Sequence, residues 1–167
     1  MQTGVQQSQL NPKASAATTW DITTREALTQ CAEALANALA LGDVLALDGD
    51  LGAGKTTFMQ ALGKALGVTE SINSPTFVLL QRYPLPAGGA LLHCDFYRLG
   101  ESDQTERLRP ELEDALTLGG CIIAAEWAAL AEFYAPWRTW QLTFSNHHDK
   151  RTLALAPVGF GQAEATE

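Results

Sequence analysis

The sequence is poor in cysteine, with only Cys31, Cys94 and Cys121 among its 167 residues. An odd number of widely spaced cysteines in apolar surroundings indicates neither a disulfide framework nor a zinc site. The sequence also lacks the charged start and apolar stretch of a signal peptide, and the run of roughly 20 apolar residues that a membrane-spanning helix needs. We therefore expect a cytoplasmic protein that has no membrane partner.

Basic side chains are scarce as well, because 11 lysines and arginines stand against 19 aspartates and glutamates. The formal net charge is -8. A surface of this sign repels a nucleic-acid backbone. The composition therefore disfavours direct binding to nucleic acid, DNA included.

The length fits one globular domain. Residues 1–19 are mostly Gln, Ser, Thr and Ala, a composition that predicts a disordered N-terminal tail. The domain is expected to span residues 20–157, and residues 158–167 form a small, polar C-terminal tail.

Helical and strand-like segments alternate along this domain. Thr23 and Glu26 have capping-box spacing, and the apolar residues that follow predict a helix from about 25 to 41. Residues 145–150 predict a polar turn, and strands are predicted at residues 44–47, 77–83, 91–95, 121–126, 139–144 and 151–156. The pattern predicts a layered α/β fold with a mainly parallel central sheet and antiparallel edge strands.

A glycine-rich segment between a predicted strand and a predicted helix carries the strongest motif. Gly49, Gly54, Lys55 and Thr56 fill every fixed position of G-x-x-x-x-G-K-[ST]. The glycines let backbone N–H groups turn inward, the lysine neutralises the β and γ phosphates, and the threonine hydroxyl can ligate Mg²⁺. This motif predicts a nucleotide-binding phosphate loop. Together with the predicted α/β fold, it predicts a three-layer sandwich like that of P-loop NTPases.

Two apolar strands end in an acid, at Asp95 and at Glu126. In a parallel sheet the carboxyl ends of the strands line the same crevice as the phosphate loop. Mg²⁺ prefers such hard oxygen ligands, so both acids are candidate metal ligands or catalytic groups. Their division of roles stays open, and either acid alone has the simpler interpretation of a solvated strand end.

Three further features have weaker signals. Ser74, Pro75 and Thr76 follow the phosphate-binding helix, where nucleotide hydrolases often place a segment that senses the γ-phosphate, although an ordinary turn is the alternative. His93 shares a strand face with Asp95 and is interpreted as a packed histidine, because no partner has metal-site spacing. Trp127 is interpreted as a packing anchor beside Glu126.

Four motifs occur together in a fixed order. They are GDLGAGKTT at 49–57, SPTF at 74–77, HCDFYRL at 93–99 and EW at 126–127. With these motifs the sequence resembles the TsaE family, also called YjeE, over about residues 20–156. Members of this family are bacterial ATPases that assist threonylcarbamoyladenosine formation on tRNA.

The resemblance implies ATP and Mg²⁺ as cofactors, with slow hydrolysis by the protein alone. It implies association with the TsaB–TsaD pair, which modifies adenosine 37 of tRNAs that read codons beginning with A, and a functional link to TsaC, which makes the activated adenylate. The tRNA would be contacted by these partners, which agrees with the negative charge of this chain.

The resemblance also implies roles for individual residues. Lys55, Asp95 and Glu126 would be catalytic, and Thr56, Glu126 and Asp95 would serve the metal. Ser74 to Phe77 would form the switch loop. The nucleotide-binding residues would be Leu51, Gly52, Ala53, Gly54, Lys55, Thr56, Thr57, Arg25 and Arg151.

Other nucleotide-binding classes fit the sequence less well. A GTPase needs N-K-x-D, which is absent, and Arg98 stands where D-x-x-G would require glycine. A small-molecule kinase shares the phosphate loop but normally adds a basic lid, and no arginine-rich segment is present. A binding module gated by nucleotide is partly compatible with the ATPase interpretation.

Overall fold

The computed structural model describes residues 17–50, 52–73, 80–95, 102–126 and 138–158, with the backbone alone for residues 102–107. Ten elements occur in these ranges. In chain order they are β1 (Thr18–Asp21), α1 (Arg25–Ala38), β2 (Val44–Asp48), α2 (Lys55–Ala65), β3 (Leu80–Pro84), β4 (Ala90–Asp95), α3 (Ser102–Thr117), β5 (Cys121–Glu126), β6 (Thr139–His147) and β7 (Lys150–Val158).

The strands form one seven-stranded sheet in the order β1-β7-β6-β2-β5-β4-β3. Its centre is parallel, because β2 pairs in parallel with both β5 and β6, and β5 pairs in parallel with β4. Both margins are antiparallel, through β6, β7 and β1 on one side and β3 on the other. The predicted mainly parallel sheet with antiparallel edges is confirmed.

Helices cover the sheet on both faces, because the parallel strands are apolar on both sides. On one face α1 and α2 pack on residues such as Leu45, Leu91 and Ile122. On the other face, Leu112 and Leu116 of α3 pack on the alternate residues of the same strands, including Val44, Leu92 and Ile123. The predicted three-layer arrangement follows from this alternation. No helix in the described ranges is long and apolar enough to cross a membrane.

The first strand lies partly within the segment that composition assigns to the N-terminal tail. Thr18 and Thr19 pair with β7, opposite Leu155 and Ala154. The sheet therefore begins two residues before the expected start of the domain, and β7 continues one residue past the expected end, to Val158. The composition of residues 1–19 does not predict this pairing, because an edge strand needs few apolar residues when its backbone is hydrogen-bonded to a neighbouring strand.

The first helix begins at Arg25 as predicted, but its capping residue and its end differ from the prediction. Its N-cap is Thr24, whose hydroxyl accepts a hydrogen bond from the Ala27 N–H, and not Thr23. The Thr23 hydroxyl instead accepts from the backbone N–H of Arg151 in β7. The helix ends at Ala38 because Leu39 is already extended, three residues before the predicted end.

The final hairpin is tighter than the predicted polar turn. Strands β6 and β7 extend to His147 and from Lys150, so that only two residues form the turn. His148 in this turn has a φ of 54°, the left-handed conformation that short hairpin turns require.

Candidate functional site

The phosphate-loop motif connects the carboxyl end of β2 to the amino end of α2, as the sequence predicts. Gly49 has a φ of 146°, and a Cβ there would lie 2.8 Å from the carbonyl oxygen of Phe144. Gly54 is the N-cap of α2 in the left-handed conformation, with a φ of 103°. Both glycines are therefore required by backbone geometry, the first by close approach of β6 and the second by its dihedral angle.

The amino end of α2 has the features of an anion-binding site. No side chain caps this helix, and its first turn contains no acidic residue. The backbone N–H groups of the first turn and the helix dipole therefore present uncompensated positive potential. Lys55, at the first helical position, is buried and its Nζ donates a 2.6 Å hydrogen bond to the Gly49 carbonyl oxygen. Such a helix end binds phosphate groups.

The two candidate acids lie side by side at the same edge of the sheet. Asp95 ends β4 and is paired in register with Glu126, which ends β5. Glu126 is in turn level with Leu47 of β2, two residues before the phosphate loop. Because β5 lies between β2 and β4, Glu126 is on the strand next to the loop and Asp95 is one strand farther away. This order, which the sequence left open, distinguishes the two acids.

Both acids point to the face of the sheet that α2 covers. Leu91 on β4 and Ala124 on β5 pack into the core beneath α1 and α2. Side chains alternate along a strand, so Asp95 and Glu126 emerge on that same face. They are buried, with 8% and 5% of their surface exposed. The two carboxylates and the amino end of α2 thus lie on the same face of the sheet, at the end where the parallel strands finish.

The charge of these acids affects their surroundings. Burial raises the pKa of the Cys94 thiol, and the negative charges of Asp95 and Glu126 raise it further. Asp95 and Glu126 are paired on neighbouring strands, and two carboxylates in such positions repel each other, a repulsion that a cation between them would relieve. Within the described ranges, no group of three or more His, Cys, Asp and Glu side chains could hold a metal by itself. A cation here would need oxygen ligands from elsewhere, such as Thr56 or a nucleotide.

The structure reveals a partner for Glu126 that the sequence did not indicate. The Nε2 atom of His93 lies 2.9 Å from Oε1 of Glu126, and the His93 side chain is fully buried. His93 is level with Ala124 of β5, so it reaches Glu126 diagonally across the two strands. The predicted face of His93 is correct, but only the strand order shows which acid it meets.

Arg25 and Arg151 lie at the same edge of the sheet as the phosphate loop. Arg25 begins α1, which precedes β2, and Arg151 follows the hairpin at the carboxyl end of β6. The segment before α1 is bonded to β7 at this point, because the Ile22 N–H donates to the Arg151 carbonyl oxygen at 2.9 Å. Both arginines are exposed. Their position is compatible with nucleotide contact.

The remaining predicted residues differ in how far they can be placed. Ala53 is buried, Thr56 is half-buried, and Gly52 and Thr57 are exposed. Ile72 packs under Gly63 of α2 and its carbonyl oxygen accepts from Gln60 Nε2, which anchors the chain just before the predicted switch loop. Leu51, Ser74, Pro75, Thr76, Phe77 and Trp127 lie outside the described residues.

The chain is similar to proteins of one known family. Residues 22–153 match the family described as threonylcarbamoyl adenosine biosynthesis protein TsaE. The TsaE protein of Bacillus subtilis is 39% identical over 122 residues, which are 71% of this chain and 72% of that protein. The TsaE protein of Streptomyces coelicolor is 43% identical over 95 residues, 56% of this chain and 62% of that protein.

A solved structure supports the same relationship. The crystal structure of YdiB from Bacillus subtilis superposes with a TM-score of 0.68 at 30% sequence identity. The match covers 86% of this chain and 87% of YdiB. Because the family match extends over residues 22–153 and the fold match covers 86% of the chain, the chain belongs to the TsaE family.

Proposed function

We propose that this protein is a Mg²⁺-dependent ATPase that acts on the TsaB–TsaD complex in threonylcarbamoyladenosine modification of tRNA adenosine 37. One observation carries the proposal. The uncapped amino end of α2, with Lys55 at its first position, lies at the edge of the sheet where Glu126 and Asp95 end neighbouring strands. An anion site beside two buried acids is suited to a nucleotide with a bound cation.

The phosphates would be held by the loop and the first turn of α2. Backbone N–H groups from Gly52 to Thr57 would donate to the phosphate oxygens, as at other helix amino ends. Lys55 would exchange its bond to the Gly49 carbonyl oxygen for the β and γ phosphates. Arg25 and Arg151 would contact the nucleotide from the neighbouring edge of the sheet.

The donor set near this helix end fits Mg²⁺. Thr56 supplies a hydroxyl, Glu126 and Asp95 supply carboxylates, and Mg²⁺ in nucleotide sites takes one or two carboxylates with phosphates and water. The bound ion would neutralise charge on the β and γ phosphates. Because Glu126 is on the strand beside the loop, we assign it the position nearer to the nucleotide, with Asp95 behind it.

The tRNA pathway is supported by the relatives, whose names place them in threonylcarbamoyladenosine biosynthesis. A net charge of -8 suits a protein that binds TsaB and TsaD and leaves the tRNA to them. Residues 74–77 would be the switch loop that responds to the γ-phosphate. The proposal also implies a cytoplasmic location.

The test measures threonylcarbamoyladenosine formed per TsaB–TsaD complex over time, in a mixture with TsaC, tRNA, threonine, bicarbonate and ATP. Repeated turnovers that depend on adding this protein support the proposal. No stimulation by a protein that still binds ATP would overturn it and would favour a small-molecule kinase.

Substitution of Glu126 links that turnover to the site. Glu126→Ala should abolish both ATP hydrolysis and the stimulated turnovers while circular dichroism shows an intact fold. Glu111→Ala is the matched control, because Glu111 is an exposed acid on α3 at the other face of the sheet. Parent-level hydrolysis by the Glu126→Ala protein would exclude that acid from the reaction.

A further inference from the structure

The buried contact between His93 and Glu126 has a specific geometry. Nε2 of His93 is 2.9 Å from Oε1 of Glu126, and the exposed fractions of the two side chains are 0% and 6%. His93 Nδ1 is also buried, and it has no hydrogen-bond partner among the described residues. The imidazole therefore reaches only one polar neighbour in this part of the structure, and that neighbour is a candidate site residue.

The environment of the two ring nitrogens assigns the tautomer. A neutral imidazole has one N–H donor and one acceptor nitrogen. A proton on Nδ1 would leave a buried donor without a partner and would turn the Nε2 lone pair toward a carboxylate oxygen. With the proton on Nε2, this N–H donates a hydrogen bond to Glu126. Only Nδ1 is then left without a partner, and a buried acceptor without a partner costs less than a buried donor without one. The geometry therefore assigns a proton to Nε2 of His93.

We infer that His93 is a positioning residue, which holds the Glu126 carboxylate through Oε1 and presents Oε2 to the nucleotide-bound cation. The inference rests on the proposed function, and it gives His93 a role that the packed-histidine interpretation does not include. Glu126 ends its strand, and the bond to His93 fixes one of its carboxylate oxygens. Outer partners of this kind typically change metal affinity or activity by 10- to 100-fold when they are removed.

Three variants distinguish positioning from packing. His93→Leu removes the donor and keeps an apolar side chain of similar size, and His93→Gln restores an N–H donor on a side chain of comparable reach. His147→Leu is the control, because His147 is exposed in the final hairpin. The binding measurements are the affinity of the ADP complex for Mn²⁺ by electron paramagnetic resonance and the affinity for ADP without metal by calorimetry. The kinetic measurements are kcat and KM for ATP.

We expect His93→Leu to lower Mn²⁺ affinity and kcat by about 10-fold or more, with metal-free ADP affinity and KM within about 2-fold of the parent. His93→Gln should recover most of the loss, and His147→Leu should match the parent. Parent-level Mn²⁺ affinity in His93→Leu, or equal losses in the Leu and Gln variants, would overturn the positioning role.

A measurement on the unsubstituted protein keeps the inference testable if His93→Leu does not fold. Nitrogen-15 NMR of the histidine rings should show His93 with a protonated Nε2 and a bare Nδ1, in a spectrum distinct from that of the exposed His147. A protonated Nδ1 in His93 would contradict the inference. Failure of the proposed function looks different, because the parent would then give no stimulated turnover, whatever the state of His93.

Discussion

The Nζ atom of Lys55 donates a 2.6 Å hydrogen bond to the carbonyl oxygen of Gly49, the residue that opens the phosphate loop. The lysine thus lies back across the loop, with 6% of its surface exposed. A buried ammonium needs such a partner because loss of hydration is costly. A phosphate group entering the loop would offer the same ammonium a charged acceptor, and a charge-assisted bond is stronger than one to a neutral carbonyl.

Lys55→Ala should therefore weaken ATP binding, by about 10-fold or more if the side chain supplies one charge-assisted contact of about 1.5–3 kcal/mol. Isothermal calorimetry measures the affinity. Lys64→Ala is the control, since Lys64 is exposed in the last turn of the same helix and far from the loop. ATP binding by Lys55→Ala at the parent affinity would show that the phosphate-loop assignment is wrong.

Gly49→Ala should disturb the loop and the fold together. The added methyl would lie 2.8 Å from the Phe144 carbonyl oxygen and 2.9 Å from its Cβ, and neither atom belongs to a flexible side-chain end. We expect a loss of about 1–3 kcal/mol in urea unfolding, the usual range for overpacking, together with weaker ATP binding.

Gly88→Ala separates backbone strain from this clash. Gly88 also has a left-handed φ, 99°, but a Cβ there meets nothing within 4 Å, and its turn lies at the opposite edge of the sheet. This variant should lose about 1 kcal/mol of stability through its dihedral angle and keep the parent affinity for ATP. Equal losses of affinity in both variants would contradict a local effect at Gly49.

Some features of this fold are determined by residues that are close together in the sequence, and others are not. The phosphate loop, the strand ending at Glu126 and the face of His93 follow from residue type and a period of two, so the sequence predicts them. The pairing of His93 with Glu126 depends on β4 lying next to β5, which no local pattern specifies. The pairing of Thr18 with Leu155 depends on β1 lying next to β7, which local sequence patterns do not specify either.

A second pair that the sequence does not predict lies at the end of the sheet where the parallel strands begin, opposite to the phosphate loop. Arg138 Nε donates to Oδ1 of Asp43 at 2.7 Å, and Arg138 Nη2 donates to Oδ2 at 2.7 Å and to the Ala38 carbonyl oxygen. Asp43 is 2% exposed. The pair ties the end of α1 to the starts of β2 and β6. Because the partners are 95 residues apart, sequence spacing gives no sign of it.

Arg138→Ala should destabilise the fold without affecting nucleotide affinity. Removal of one partner leaves a buried carboxylate short of donors, which costs 3–5 kcal/mol in fully buried pairs. The Arg138 side chain is 34% exposed, so water can replace part of the bonding and we expect about 2–3 kcal/mol. Urea unfolding and ATP calorimetry measure the two quantities.

Lys150→Ala tests whether the burial of Asp43 causes the loss of stability expected for Arg138→Ala. Lys150 lies 3.5 Å from Asp21, and both side chains are more than half exposed. Its removal should leave the unfolding midpoint unchanged because solvent screens the pair. A shift as large as that of Arg138→Ala would show that surface charge, and not burial, governs the stability of this fold.

Stability should fall at alkaline pH because of buried thiols. Burial raises the pKa of Cys31, which has no exposed surface, to about 12. An unfolded cysteine titrates near pH 8.5, so above that pH the unfolded chain has released a proton that the folded chain retains. The contribution of the thiol to stability is fully present below about pH 8.5 and is lost as the pH rises toward 12, by up to about 1.4 kcal/mol per pH unit.

Urea unfolding of the parent and of Cys31→Ala at pH 7, 9 and 10 isolates this thiol from other groups. The variant should be less stable at pH 7, through lost packing, yet should lose less stability between pH 9 and 10 than the parent does. Parallel losses over that interval would contradict the raised pKa.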